Sequence, residues 1–194
     1  MAGLRQQWRR DAMRVIQDKA LDLFDERGFA AVTIEEIAAA AEVSASSIYR
    51  YFGTKERLLA ADEFETMSAE RLAEILDPAD PVGSLVAAVE RYESPGDGAA
   101  DAGAAARRIR YFFTEPSVRA AALATLDRAA EQIAPTFEEH GMTAAQARVA
   151  ANALTFGYFA ALETWHTDGG VRPIAHYVEE GLRPLRAIWA GTTG

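Results

Sequence analysis

The segment 33–52, TIEEIAAAAEVSASSIYRYF, constrains the fold of this chain more than any other stretch. Thr33 followed three residues later by Glu36 is a capping box, the signature of a helix start. Ser44 can cap a second helix, Ala45–Phe52, because its hydroxyl accepts a hydrogen bond from the first unpaired amides. The segment therefore predicts two short helices joined by a tight turn, the layout in which a second helix lies in a DNA major groove.

The second predicted helix carries side chains that suit DNA. Short residues at its start let the backbone approach base edges, where hydroxyls hydrogen-bond and an alanine methyl meets a thymine methyl. Tyrosine phenols suit phosphate oxygens, and a lysine that opens the next helix adds charge at a helix N-terminus. The alternative is that the serines only cap the helix and the tyrosines are half-buried surface. The predicted DNA contacts are Thr33, Ser44, Ala45, Ser46, Ser47, Tyr49, Arg50, Tyr51 and Lys55.

With these motifs, residues 10–60 resemble the N-terminal domain of the TetR family of bacterial one-component regulators. The matching residues are Ala20, Leu23, Phe24, Arg27, Gly28, Phe29, Thr33, Ile37, Ala38, Ala41, Val43, Ser44, Ser47, Ile48, Tyr49, Tyr51, Phe52, Lys55, Glu56, Leu58 and Leu59. One departure is Glu42, since family members often carry glycine in this turn. A positive φ at that position would cost a non-glycine residue about 1 kcal/mol.

Helical patterns continue along the rest of the chain. We predict a first helix over 10–27 and a long fourth helix from Thr54 to about Leu76, which the resemblance makes the link between effector and DNA domains. Further helices are predicted over 82–92, 102–114, 116–140, 143–166 and 173–189. We expect a kink or break near Glu131, because of Pro135, and a bend or split at Pro184. No segment alternates with a period of two. The sequence thus predicts an all-α protein of about nine helices, with a DNA-binding domain over 1–54 and an effector and dimerisation domain over 55–194.

The charge distribution limits how strongly DNA would attract this chain. The net charge is −9, which argues against nucleic acid at first. Residues 1–60, however, hold nine basic and nine acidic residues, so the excess negative charge lies after residue 60. The arm Arg5–Arg10 is basic and is either a phosphate or minor-groove contact or a solvated, frayed end. This distribution is compatible with specific DNA binding and indicates weak non-specific binding.

The body of the chain has enough apolar side chains to line a cavity, although plain core packing explains each of them separately. The resemblance implies a pocket, because these regulators usually sense small, often hydrophobic molecules. An arginine there would neutralise an anionic effector. The predicted pocket residues are Phe64, Met67, Tyr92, Arg108, Ile109, Phe112, Phe113, Leu126, Phe156 and Phe159.

Small residues on the last two helices permit close helix approach. We predict that they form a four-helix homodimer interface, since binding to a palindromic site needs two DNA-binding domains about one DNA turn apart. Packing within one chain is the alternative. The predicted interface residues are Ala150, Ala153, Leu154, Gly157, Ala160, Ala161, Tyr177, Leu182 and Leu185.

Signals for other classes of protein are weak. The chain has no cysteine, which excludes disulfides and thiolate metal sites, and its three histidines form at most fragments of a metal site. We find no phosphate loop and no nucleophile elbow, so no enzyme, cofactor or metal is expected. No apolar run approaches a membrane span and no signal core is present, so a cytoplasmic location is expected.

The sequence favours a homodimeric repressor that a small-molecule effector releases from a palindromic operator. Two alternatives stay open. One is a DNA-binding dimer without a ligand; the other is a helical ligand-binding module or enzyme whose head has another role. Loss of operator binding on addition of a ligand would separate the ligand-responsive repressor from the DNA-binding dimer without a ligand.

Overall fold

The computed structural model describes residues 2–61, 75–93 and 99–190, except the side chains of 2–7, 10, 92, 99–102, 187, 188 and 190. Within these ranges the chain forms nine α-helices, one 3₁₀ turn over Phe29–Ala31, and no strand. The helices are α1 (Ala2–Arg27), α2 (Ile34–Ala40), α3 (Ala45–Phe52), α4 (Lys55–Ala60), α5 (Pro81–Glu93), α6 (Ala99–Thr114), α7 (Pro116–Glu139), α8 (Ala144–Thr167) and α9 (Ile174–Ala190). The predicted all-α fold is confirmed. Among the described residues, no helix is both long enough and apolar enough to cross a membrane.

The chain divides into two compact units. The described residues of Met1–Glu63 and Ala106–Ala122 form one, here called the head unit, and those of Phe64–Ala105 and Leu123–Gly194 form the other, the body unit. The end of α6 and the start of α7 therefore pack with the N-terminal helices. A single structural boundary after residue 54 does not describe this division, and the functional division into 1–54 and 55–194 stays a prediction.

Helix α1 supplies one wall of the head core. It begins at Ala2, ahead of the predicted Arg10, so the basic arm is helical rather than a frayed end. Its side chains include three that are at most 1% exposed, and two beside them in the helical spacing that are half-buried. The first group is Ile16, Ala20 and Phe24; the second is Ala12 and Leu23. Helix α1 packs on α2 and α4, which positions the helix pair of the site.

Helix α4 is shorter than predicted. It ends at Ala60, because Ala61 has an extended backbone with φ −72° and ψ 126°. Nε2 of Gln17 on α1 donates to the carbonyl oxygens of Leu58 and Ala61 at 2.8 and 2.9 Å. Carbonyls in a last turn lack partners within the helix, and Gln17 supplies one. The prediction of one uninterrupted fourth helix is therefore wrong at this point, and its remainder over 62–74 lies outside the described residues.

In the body unit, α9 packs on both α8 and α5. Pro135 lies inside α7 and Pro184 inside α9, and both helices continue past their prolines. The predicted breaks are absent; a bend at either proline stays a prediction. Pro116 is the first residue of α7, as predicted, where its missing N–H costs no helical hydrogen bond.

Candidate nucleic-acid interface

A capping box starts α2. The amide of Glu36 donates to Oγ1 of Thr33 at 3.3 Å, and Oε2 of Glu36 accepts from the amide of Thr33 at 2.8 Å. Arg27 pairs with Oε1 of Glu36 at 2.8 Å. The hydrogen bond from the Thr33 amide, followed by those from Arg27 and the Thr33 hydroxyl, lowers the pKa of Glu36 to about 2. Thr33, a predicted DNA contact, thus acts in this structure as the N-cap that sets where α2 begins.

The turn between α2 and α3 is a Schellman motif. Ala41 is the C-cap residue of α2. The amide of Glu42 donates to the carbonyl of Ala39 at 3.3 Å, and that of Val43 donates to the carbonyl of Ala38 at 3.0 Å. Glu42 has φ 54°, the left-handed conformation that glycine adopts at no steric cost. The positive φ considered from the sequence is therefore present, and the tight turn sets the path from α2 into α3.

Helix α3 begins at the predicted residue and has two different faces. The Ser47 amide donates to Oγ of Ser44 at 3.2 Å, which is the predicted N-cap. Ile48 and Phe52 are each 1% exposed and fix the buried face. The opposite face exposes Ser46, Tyr49 and Arg50, with Tyr49 at 52% exposure; Ala45 and Ser47 are half-buried. A helix held in this way presents hydroxyl, phenol and guanidinium groups to solvent on one side.

Two arginines lie beside Tyr51. The Cζ atom of Arg50 is 5.0 Å from the centre of the Tyr51 ring, and that of Arg9 on α1 is 5.9 Å from it. Nη2 of Arg50 also donates to Oγ of Ser47 at 3.4 Å. Both arginines are exposed and Tyr51 is half-buried. The ring thus brings a cation of α1 next to the C-terminal half of α3.

Lys55 is turned toward the protein. Its Nζ donates to the carbonyl oxygens of Phe29 and Val32 at 2.8 and 2.9 Å, and lies 4.3 Å from the centre of the Phe29 ring. Two of its three ammonium protons are therefore used inside the head unit. This geometry favours a structural role for Lys55 over the predicted phosphate contact.

An ionic cluster ties α6 to α1 within the head unit. Asp25 accepts from Nε of Arg107 at 2.6 Å, from Nη2 of Arg110 at 2.5 Å and from the Tyr111 hydroxyl at 2.7 Å. Burial raises the pKa of Asp25, but the hydrogen bonds from Tyr111 and Arg107 and the two positive charges outweigh it, so that pKa lies below its ordinary value. Burial and the bond to Asp25 raise the pKa of Tyr111. The ring centres of Tyr111 and Phe29 are 6.4 Å apart. The cluster therefore extends to Phe29, whose carbonyl oxygen accepts from Lys55.

The predicted effector residues are divided among several places. Phe64 and Met67 lie outside the described residues, and the side chain of Tyr92 on α5 is not described. In the head unit Ile109 is buried; Arg108, Phe112 and Phe113 are half-buried. In the body unit Phe159 is buried; Leu126 and Phe156 are half-buried. Their joint role as a pocket stays a prediction.

The body unit contains an open cleft of about 740 Å³ between α5 and the start of α9. It is lined by Val86, Glu90, Glu93, Pro173, Ala175, His176 and Glu179, none of which was predicted as a pocket residue. The Glu93 carboxylate accepts from the amides of Ile174 at 2.6 Å and Ala175 at 3.0 Å. It therefore caps α9, where an anion is favoured by the helix dipole.

The small-residue face of α8 packs within its own chain. A Cβ added to Gly157 would lie 2.5 Å from Cδ2 of Leu182 on α9, and one added to Gly181 would lie 3.7 Å from the Cβ of Ala161. The predicted interface residues that are buried in one chain are Leu154, Ala161, Tyr177 and Leu182. These residues and Gly157 pack within their own chain, which favours the intramolecular alternative, and their contact with a partner chain stays a prediction. Ala150, Ala153 and Leu185 are half-buried and Ala160 is exposed, so these four stay candidates.

Sequence reasoning missed the contacts that cross between helices. Gln17, Asp25 and Lys55 find their partners 23 or more residues away in the chain, so no local spacing marks them. Arg9 belongs to the basic arm that was noted, but only the helical path of α1 places it beside Tyr51.

The capped α2, the Schellman turn and the half-exposed α3 together define a helix-turn-helix protein. Residues 16–61 match the family described as bacterial regulatory proteins, tetR family. This match confirms, over residues 16–61, the resemblance seen in the sequence.

Curated relatives match over part of their length. The HTH-type transcriptional repressor Rv3405c of Mycobacterium tuberculosis is 35% identical over 86 residues, which are 43% of this chain and 44% of that protein. The HTH-type transcriptional regulator Mb3439c of Mycobacterium bovis matches to the same extent. The match thus spans less than half the length of these relatives.

Solved structures share the fold along most of the chain. NalD, described as the secondary repressor of the MexAB-OprM multidrug efflux pump in Pseudomonas aeruginosa, gives a TM-score of 0.53 at 24% identity, covering 91% of this chain and 94% of NalD. Thermus thermophilus FadR, a repressor in complex with lauroyl-CoA, gives 0.54 at 24% identity, covering 89% and 92%. At this identity the likeness establishes the fold.

Proposed function

We propose that this protein is a homodimeric, sequence-specific transcriptional repressor that a small-molecule effector releases from its operator. The observation that carries the proposal is the exposed polar face of α3, presented directly after a capped α2 and a tight turn. The relatives support it, since Rv3405c is named a repressor and NalD and FadR are described as repressors.

On this proposal the start of α3 faces base edges in the major groove. Ala45 and Ser46 stand in its first turn, where small side chains allow close approach. Tyr49 and Arg50, exposed further along the helix, bind phosphates beside the groove. Ser44, Ser47 and Thr33 hold the helix ends and reach DNA only through their remaining hydrogen-bonding capacity.

Dimerisation would supply the second head. Because the α8 face toward α9 is used within the chain, we propose that the partner covers the other side of α8. Val149, Ala153, Phe156 and Ala160 follow one another there at helical spacing, and Val149 is 70% exposed. An apolar stripe of this kind suits a two-fold interface in which α8 meets its own copy.

The effector is proposed to bind in the body unit. FadR is described with lauroyl-CoA, so a chain of this fold can hold a small molecule. The cleft beside α9 falls in the size range of ligand sites. Its three glutamates disfavour an anionic ligand there and favour a neutral or cationic one. Bound next to the Glu93 cap, a ligand would act on the start of α9.

A selection of binding sites from random DNA tests the proposal. The protein should enrich one palindromic sequence with half-sites about one helical turn apart, and it should bind that sequence as a dimer. Failure to enrich any sequence would contradict the proposal. A screen of small molecules against the selected complex then separates the ligand-responsive repressor from the alternative, a DNA-binding dimer without a ligand, because only the former is released.

A further inference from the structure

Arg9 lies on α1, outside the helix-turn-helix, yet it contacts the helix that would read DNA. Its guanidinium carbon is 5.9 Å from the centre of the Tyr51 ring, while Arg50 approaches the same ring at 5.0 Å. An arginine over an aromatic face at such distances is held by a cation–π attraction of about 0.5–1 kcal/mol at exposed sites. Tyr51 therefore keeps two exposed positive charges close together at one end of α3.

Three other arginines of the head unit are neutralised by carboxylates. Arg27 pairs with Glu36 at 2.8 Å, and Arg107 and Arg110 pair with Asp25 at 2.6 and 2.5 Å. Among the described residues, no ion pair joins Arg9 or Arg50 to a carboxylate. In a chain of net charge −9, two neighbouring cations that pair with no described carboxylate favour an anion from outside.

We propose that Arg9 binds a phosphate of the DNA backbone beside the groove that α3 enters, with the Tyr51 ring holding its guanidinium in place. The proposal rests on the proposed function and adds a contact from α1 to it. A guanidinium suits this partner because its planar donors match phosphate oxygens in pairs. The competing explanation is that the contact between Arg9 and Tyr51 only braces α1 against α3.

The test is a titration of the selected operator at several salt concentrations with the full-length protein. Arg9→Gln should lower the steepness of log K against log salt by about 0.9 per head, and so by about 2 for a dimer. It should weaken every single-base variant of the operator by the same factor. Arg91→Gln, the same change on α5 of the body unit, is the matched control and should leave the steepness unchanged.

Two tyrosine variants test how Arg9 is held. Tyr51→Phe keeps the ring and should preserve the effect of Arg9→Gln, whereas in Tyr51→Leu that effect should shrink, because the guanidinium is no longer positioned. Thermal unfolding of each variant shows whether the head remains folded.

The outcomes separate the two proposals. If wild type binds the operator and Arg9→Gln leaves the salt dependence unchanged but lowers the unfolding temperature, Arg9 only braces α1 and the inference is overturned alone. If wild type enriches no DNA sequence, the proposed function fails and the Arg9 contact fails with it.

Discussion

The ammonium group of Lys55 donates to the carbonyl oxygen of Phe29 at 2.8 Å and lies 4.3 Å from the centre of that residue's ring. A second bond, to the carbonyl of Val32 at 2.9 Å, ties the start of α4 to the segment that leads into α2. Because α3 lies between these two points in the chain, Lys55 closes a loop that contains α3. Its charge stabilises the frame that holds α3.

Lys55→Met should therefore destabilise the head. Two hydrogen bonds from a charged, half-buried group are lost, and each such bond contributes about 1.5–3 kcal/mol, so we expect the free energy of unfolding to fall by about 3–6 kcal/mol. Lys19→Met makes the same change at an exposed position of α1 and should stay within about 0.5 kcal/mol of wild type. Chemical denaturation measures both. If the two variants were equally stable and only Lys55→Met lost DNA affinity, Lys55 would be a phosphate contact, as the sequence predicts.

The turn before α3 stores strain that glycine relieves. Glu42→Gly should stabilise the protein by up to about 1 kcal/mol, because glycine accepts φ 54° without a Cβ clash, less the entropy it gains when unfolded. Gly28→Ala should destabilise it by about 1–3 kcal/mol, since φ 83° with ψ 147° is essentially open to glycine alone. Denaturation midpoints check both signs. A Glu42→Gly variant less stable than wild type would show that the glutamate side chain makes a contact worth more than the strain.

The Asp25 cluster should make the head sensitive to acid. A carboxylate whose pKa is lowered by folding stabilises the native state above its unfolded pKa and loses that contribution as the pH falls through the folded pKa. Asp25→Asn should cost about 1–3 kcal/mol at neutral pH. The difference from wild type should shrink as the pH falls below 3.8, the ordinary pKa of aspartate, and vanish only below the lowered pKa of Asp25 in the folded protein.

Asp22→Asn is the control for that experiment. Asp22 is 60% exposed and pairs with a single described residue, Arg107, so its loss should cost at most about 1 kcal/mol. Unfolding followed from pH 7 to pH 2 measures the series. If the difference in the free energy of unfolding between wild type and Asp25→Asn stayed constant with pH, the ionised Asp25 carboxylate would not be the source of the stabilisation.

Close packing of α8 on α9 makes Gly157 intolerant of a side chain. Gly157→Ala should destabilise the body unit by about 1–3 kcal/mol, because the new Cβ meets Cδ2 of Leu182 at 2.5 Å. The same substitution at Gly103 on α6, where nothing lies within 4 Å, should instead stabilise by about 0.5–1 kcal/mol.

A double-mutant cycle isolates the Gly157 contact. In a Leu182→Ala background, where the obstructing atoms are gone, Gly157→Ala should cost less than in wild type. Equal costs in both backgrounds would place the clash elsewhere. If Gly157→Ala instead dissociated the dimer without changing the free energy of unfolding, Gly157 would belong to the interface with the partner chain.

Local signals explain what the sequence could predict. The capping pair Thr33 and Glu36 and the cap Ser44 act over three residues, so the bounds of α2 and α3 follow from them directly. The all-α class follows in the same way, from apolar spacing and helix caps along the chain.

Contacts between helices could not be predicted from such local signals. The end of α4 depends on Gln17, which lies 41 positions before Leu58, and the direction of Lys55 depends on carbonyls of an earlier turn. The small residues of α8 are compatible with a partner chain or with α9, since both need close approach, and the packing of Gly157 against Leu182 favours α9.

The central claim is that α3 reads base edges, and base preference tests it most directly. Binding of wild type, Ser46→Ala and Tyr49→Phe is measured on the selected operator and on each of its single-base variants. Ser46→Ala should change the preferred base at one position of each half-site by about 1–3 kcal/mol, while Tyr49→Phe should weaken all sequences by one common factor. A Ser46→Ala variant that lost affinity equally for every sequence, with its base preference intact, would contradict the claim.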